Sequence, residues 1–156
     1  MSEQPENGPA GAVFRVEKLY LKDLSFESPN APEVFRGKAQ PKAEVNLGVK
    51  NRKIGDEHWE VSLTVTATLK ADDKVVFIVE VEQAGLFLLR NIPQEHLAAV
   101  LSVECPTVLF PFTRQVICQA VVDGGFVPFL LDPVNFLAMF QNAKQAKKAQ
   151  QEETSH

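Results

Sequence analysis

Alternating apolar and polar residues dominate the first half of the chain and predict β-strands. From His58 to Leu69 every second residue is apolar, beginning with Trp59, and the residues between them are polar or charged. This period of two is typical of a strand with one buried and one solvated face. Residues 70–74 (KADDK) predict a turn, so residues 75–83 should form the paired strand. Those expected to point inward are Val75, Phe77, Val79 and Val81, and those expected to point outward are Val76, Ile78, Glu80 and Glu82.

Two further extended segments lie upstream of this hairpin. Residues 43–49 (AEVNLGV) alternate in the same way, while Val13 to Glu27 predicts a longer and less regular strand. Residues 28–41, between them, contain three prolines and one glycine, which indicates a crossover loop. Because such strands have one polar face, the pattern favours a single antiparallel sheet.

The second half of the chain changes to helical periodicity. Residues 93–103 contain a short helical pattern, and a longer helix is expected to begin at Pro111, because a proline at the first helical position loses no hydrogen bond. Asp123-Gly124-Gly125 predicts its end, and Asp132-Pro133 predicts the start of a second apolar helix. One helical layer covers only one face of a sheet. This much apolar surface therefore predicts an α+β fold that forms a homo-oligomer and keeps open apolar grooves.

Charge and composition narrow the class of protein. The chain has 156 residues and a net charge of −4, and no stretch combines clustered Lys and Arg with aromatics, which argues against nucleic-acid binding. It has no run of about 18 apolar residues for a membrane span, and its first residues lack the pattern of a signal peptide. We expect one cytoplasmic domain at residues 13–142, a disordered tail at 1–12 and a polar flexible tail at 143–156.

Catalytic chemistry has little support in the sequence. Cys105 is followed by a proline and an apolar run, and the nearest histidine, His96, is nine residues away, so no base is at hand to activate the thiol. Cys105 and Cys118 do not have the spacing of a zinc site. Glu80 is expected on the solvated face of its strand, a setting that does not suit general acid or base catalysis. The sequence therefore predicts two structural thiols, no metal, no cofactor and no enzyme.

Three segments, in order along the chain, resemble a known family. They are residues 22–35 (KDLSFESPNAPEVF), 104–115 (ECPTVLFPFTRQ) and 132–140 (DPVNFLAMF). Together they resemble SecB, the bacterial protein-export chaperone family, over most of the chain. The resemblance implies a four-stranded antiparallel sheet with two helices on one face, assembled as a tetramer that is a dimer of dimers. In this interpretation residues 105–112 are a buried linker that leads into a helix.

The same resemblance implies an ATP-independent chaperone that holds unfolded secretory precursors and delivers them to the SecA motor. Residues that match the family's SecA contacts are Asp23, Glu27, Ile78 and Glu80. Residues that match its client groove are Phe35, Val45, Leu47, Phe136, Met139 and Phe140. Near Ala39 the family often carries a bulky aromatic that this chain lacks. The expected partners are unfolded precursors, SecA and further copies of the chain, with no nucleic acid and no membrane insertion.

A second interpretation is a carrier of a small hydrophobic ligand or lipid. The chain has 11 Phe against one Trp and one Tyr, and a helix-covered sheet rich in Phe could enclose a ligand. A refolding assay separates the two interpretations, because a chaperone delays the folding of a precursor and a carrier does not.

Overall fold

The computed structural model describes residues 11–154. Four antiparallel strands form one sheet in the order β1-β4-β3-β2. Their bounds are Val13–Glu27 (β1), Lys42–Lys53 (β2), His58–Ala71 (β3) and Lys74–Arg90 (β4). Strands β1 and β2 are therefore the two edges. Residues 28–41, which include a 3-10 turn at Glu33–Arg36, connect one edge to the other. The predicted single antiparallel sheet and crossover loop are confirmed, while the tail expected at residues 1–12 falls mostly outside the described residues.

Two helices complete the α+β fold. The first runs without a break from Gln94 to Asp123 and consists of α1 (Gln94–Ala99), a π-helical segment (Val100–Glu104) and α2 (Cys105–Asp123). The second is α3 (Phe136–Thr154). By length and composition the first helix could cross a membrane, but here it contacts β4 and β3 and supplies much of the hydrophobic core.

The core lies between α2 and the two central strands. In α2 the buried residues recur every three or four positions, as expected for a helix with one face on a sheet. They are Cys105, Pro106, Leu109, Phe110, Thr113, Ile117 and Val121. The facing residues of β3 alternate as predicted, and Val61, Leu63, Val65 and Ala67 are all fully buried. We call this helix-covered side of the sheet the inner face and the opposite side the outer face.

The expected helix start at Pro111 is wrong. The helix passes through Pro106 and Pro111, so residues 105–112 are helical and do not form a linker. A proline inside a helix removes one hydrogen bond and crowds the preceding turn. Pro106 is the second residue after the π-helical segment, where the regular hydrogen-bond pattern is already interrupted, and Pro111 lies on the exposed side of α2. The predicted stop is confirmed, because α2 ends at Asp123 and Gly125 has a φ of 93°.

Helix α3 also differs from its prediction. Its N-cap is Asn135, whose Oδ1 accepts a hydrogen bond from the backbone N–H of Ala138 at 2.9 Å, and not Asp132. The helix continues to Thr154. Residues 143–154, which the sequence predicted as part of a polar flexible tail, are helical and have exposed side chains.

Strand β4 is longer than predicted and contains an irregularity. It continues past residue 83 to Arg90 and includes Gly85, where a Cβ would lie 2.6 Å from the ring of Phe87. Val76 was expected to point outward but is buried. It is the extra residue at a register shift opposite Leu69 and Lys70, and such a bulge redirects a side chain.

Candidate binding surfaces

The four residues matched to SecA contacts lie together on the outer face. Strand β1 pairs with β4 so that Glu27 is opposite Ile78 and Ser25 is opposite Glu80. Directly opposed residues of an antiparallel pair share one face and are close neighbours. Asp23 lies two residues before Ser25 and shares that face. All three carboxylates are exposed and Ile78 is half-buried, so the structure forms one acidic surface from two neighbouring strands.

The acids of this surface have few partners among the described residues. Glu80 accepts one hydrogen bond, from the hydroxyl of Thr66 at 3.2 Å. Glu82, next along the face, lies 3.8 Å from the ammonium of Lys22. The negative charge of Asp23, Glu27 and Glu80 is therefore left to face solvent, in contrast to that of Glu82.

Two bulges explain why β1 looked irregular in sequence. Glu17 and Lys22 are extra residues between register-paired neighbours. Each bulge changes which residues, odd or even, face outward, so Tyr20 lies on the outer face before the second bulge and Asp23 lies on it after. Simple alternation identified Asp23 and Glu27 only because both follow the last bulge.

A polar network around Glu60 lies beside the acidic surface. The Oε2 of Glu60 accepts a hydrogen bond from the hydroxyl of Tyr20 at 2.6 Å. Its Oε1 lies 3.1 Å from the ammonium of Lys22 and 3.4 Å from the guanidinium of Arg52. The hydrogen bond from Tyr20, with the two cations, lowers the pKa of Glu60. Partial burial, with the nearby carboxylate, raises the pKa of Tyr20 to about 12. Sequence reasoning missed this network.

On the inner face, α2 leaves both edges of the sheet open. It lies over β4 and β3, touches β1 and has little contact with β2. On the β2 side, Val45 is 41% exposed and Leu47 is half-buried. On the β1 side, Leu21 and Leu24 are 45% and 44% exposed. Both strips are apolar, and the strip on β1 was missed because the bulge at Lys22 hides its alternation.

An aromatic cluster closes one end of the inner face. Phe126 contacts the rings of Phe26, Phe35 and Phe77, with centroid separations of 6.3, 5.0 and 5.3 Å, and Phe129 meets Phe77 edge-on at 6.0 Å. Phe35, which the crossover loop supplies, remains 51% exposed. The cluster therefore offers an apolar surface between the loop and the end of α2.

The three client-groove residues predicted on helix α3 differ in their exposure to solvent. Phe136 is 3% exposed and packs edge-on against Phe110 with a centroid distance of 6.1 Å, so in the single chain it is a core residue. Met139 is 39% exposed. Phe140 is half-buried beneath the ammonium of Lys144, which lies 4.8 Å from the ring centroid. Of these three predicted residues, Met139 and Phe140 present apolar surface to a partner and Phe136 does not.

The Cys105 thiol does not form a reactive site. Cys105 is buried, and this burial, helped by the neighbouring carboxylate of Glu104, raises its pKa to about 12. A thiol with so high a pKa is a poor nucleophile at neutral pH. Within residues 11–154, no three His, Cys, Asp or Glu side chains are grouped to hold a metal ion.

Comparison with known proteins identifies the family. The family model described as "Preprotein translocase subunit SecB" matches residues 7–147. The Protein-export protein SecB of Desulfotalea psychrophila is 56% identical to the chain, and the alignment covers 100% of both. The SecB of Magnetococcus marinus is 51% identical over 98% of this chain and 99% of the relative. The chain belongs to the SecB family.

A solved structure agrees with this assignment at the level of the fold. A SecB-like chaperone of Mycobacterium tuberculosis, in complex with a ChAD peptide from the HigA1 antitoxin, superposes with a TM-score of 0.64. The two chains are 14% identical, and the match covers 78% of this chain and 90% of the other. SecB proteins are named as protein-export proteins, so the chain is an export-chaperone family member and not an enzyme.

Proposed function

We propose that the chain is an ATP-independent molecular chaperone that binds unfolded secretory precursors and delivers them to SecA. The observation that carries this proposal is the separation of two surfaces by one sheet. Exposed carboxylates stand on the outer face, and exposed apolar side chains flank α2 on the inner face. Membership of the SecB family supports it and favours a chaperone over a lipid carrier. In this proposal the chaperone binds precursors in the bacterial cytoplasm, before they are exported.

The client surface in this proposal consists of the open apolar strips and the aromatic cluster. Its exposed or half-buried members from the family match are Phe35, Val45, Leu47, Met139 and Phe140. Phe136 supports this surface from within the core. Burying such side chains against an unfolded chain releases water and is favourable for many sequences, so binding requires no nucleotide. The flexible side chain of Met139 adapts to different clients.

The SecA surface consists of Asp23, Glu27, Ile78 and Glu80. Exposed carboxylates attract a basic partner over long range, and the half-buried Ile78 gives the contact an apolar centre. Because exposed charges are screened by salt, association with SecA should slow as ionic strength rises.

Assembly into a tetramer accounts for the apolar side of the first helix that the sheet does not cover. Phe112 and Val122 of α2 are 43% and 42% exposed in the single chain. Apolar side chains on the solvent side of a core helix are typical of a covered interface. We propose that helices of neighbouring copies pack there, which leaves the acidic outer faces on the outside of the tetramer.

The proposal is tested by the refolding of a denatured secretory precursor without nucleotide. The wild-type chain should slow refolding at stoichiometric concentration, and Val45→Asp should weaken this effect by about tenfold or more, because an ionised carboxylate is costly to bury against a client. Ile54→Asp is the matched control, since Ile54 is also exposed but lies just beyond the other end of β2. Refolding at an unchanged rate with the wild-type chain would refute the chaperone.

A further inference from the structure

A single carboxylate connects three strands on the outer face. Glu60 belongs to β3, Tyr20 and Lys22 come from β1, and Arg52 comes from β2, with the contacts of 2.6, 3.1 and 3.4 Å described above. We call these four residues the Glu60 clamp. Strand β4 lies between β1 and β3, so the two side chains from β1 must cross it to reach Glu60.

The residues under this crossing are small and covered. Tyr20 is paired with Ala84 of β4, which in turn is paired with Ser62 of β3. Ala84 is 0% exposed and Ser62 is 5% exposed, although both lie on the outer face, which α2 does not cover. The clamp therefore packs flat against the sheet, and a larger residue at position 84 would obstruct it.

The clamp lies beside the second bulge of β1, at Lys22. Strand β1 is an edge strand that pairs only with β4, and the bulge at Lys22 interrupts that pairing immediately before Asp23. A bulge leaves a residue unpaired and bends its strand. The acids that follow it would lose their fixed position if this end of β1 separated from β4.

We infer that the Glu60 clamp holds β1 in place at its second bulge and thereby positions Asp23 and Glu27 for SecA. The inference rests on the proposed role of these acids in SecA binding. Tyr20, Lys22, Arg52 and Glu60 are positioning residues in this account, because they act through the acids and need not touch the partner.

Tyr20→Phe tests the inference without changing any charge. It removes only the hydroxyl that Glu60 accepts from, so a loss of long-range attraction cannot explain its effect. We expect the affinity for SecA to fall by about threefold or more, with precursor holding unchanged. The backbone amides of residues 23–27 should exchange hydrogen faster. Asn91→Gly is the matched control, because it removes the 2.9 Å hydrogen bond to Gly11 O at the other end of β1, also without a change of charge.

A double-mutant cycle separates positioning from general stabilisation. In a chain that already carries Asp23→Asn and Glu27→Gln, Tyr20→Phe should cause no further loss of SecA affinity, because the acids that it positions are gone. An equal loss in both backgrounds, or no loss in the wild-type background, would overturn the clamp while leaving SecA binding established. If the wild-type chain fails to bind SecA, the proposed function fails, and the clamp's role fails with it.

Discussion

Tyr20 and Glu60 change each other's titration, and this coupling defines the pH range of their contact. The pKa of Tyr20 is raised from 10.0 to about 12. The contribution of Tyr20 to the stability of the folded protein is therefore complete below pH 10 and is lost as the pH rises towards 12. The pKa of Glu60 is lowered from 4.5. The contribution of Glu60 to the stability of the folded protein is therefore complete above pH 4.5 and is lost as the pH falls through the folded-state pKa. At neutral pH the contact has its full effect.

The titration of Tyr20 gives a direct prediction. Tyr20 is the only tyrosine, so phenolate absorbance in the ultraviolet reports this residue alone. In the folded protein the midpoint should be about 12, and Glu60→Gln should move it towards 10.0, since the carboxylate contributes to the shift. A wild-type midpoint at the ordinary value for tyrosine would show that the Tyr20–Glu60 hydrogen bond is absent in solution.

Residue-scale features were predictable from sequence only where they follow local alternation. Glu80 and Ile78 were assigned correctly to one face because β4 has no bulge between them. The Tyr20–Glu60 contact joins residues 40 positions apart on strands that do not pair. No local pattern encodes such a contact, because it depends on the strand order and on a small residue between the partners.

At the scale of elements, the alternation of apolar and polar residues located a strand such as β3, whereas the prolines did not mark where the helices begin. Alternation located β3 because its side chains have one environment on each face. Pro111 was interpreted as a helix start, yet the first helix is fixed by packing of α2 on the sheet, which outweighs the local cost of two prolines. The end at Gly124 was predictable because two glycines in sequence are a strong stop signal.

The junction between α2 and β1 gives a prediction at this scale. A Cβ on Gly124 would lie 2.3 Å from the ring of Phe26, although the backbone φ of −75° suits any residue. Gly124→Ala should therefore lower the free energy of unfolding by about 1–3 kcal/mol through overpacking, measured by urea denaturation. Gly48→Ala is the control, because nothing lies within 4 Å of its Cβ, and stability should be unchanged or slightly higher. Equal effects of the two substitutions would contradict this packing.

At the scale of the whole molecule, the long helix exposes the large apolar side chains of Phe112 and Val122 on the side that the sheet does not cover. We therefore expect assembly, and light scattering at micromolar concentration should give about four times the chain mass of 17.3 kDa. Charged substitutions at Phe112 or Val122, such as Phe112→Asp, should shift the assembly to smaller species, because an ionised carboxylate is costly to bury between helices. A wild-type chain that stays monomeric would remove the basis for a helix-mediated interface.

The central claim is that one sheet separates a SecA surface from a client surface, and paired titrations test it most directly. The variant Asp23→Lys, Glu27→Lys and Glu80→Lys is titrated with SecA and with an unfolded precursor, beside the wild-type chain, at low and moderate salt. We expect a loss of SecA affinity of at least about tenfold, weaker wild-type binding at higher salt, and unchanged precursor binding in an intact oligomer. Unchanged SecA binding, or loss of precursor binding in a correctly assembled variant, would contradict this claim.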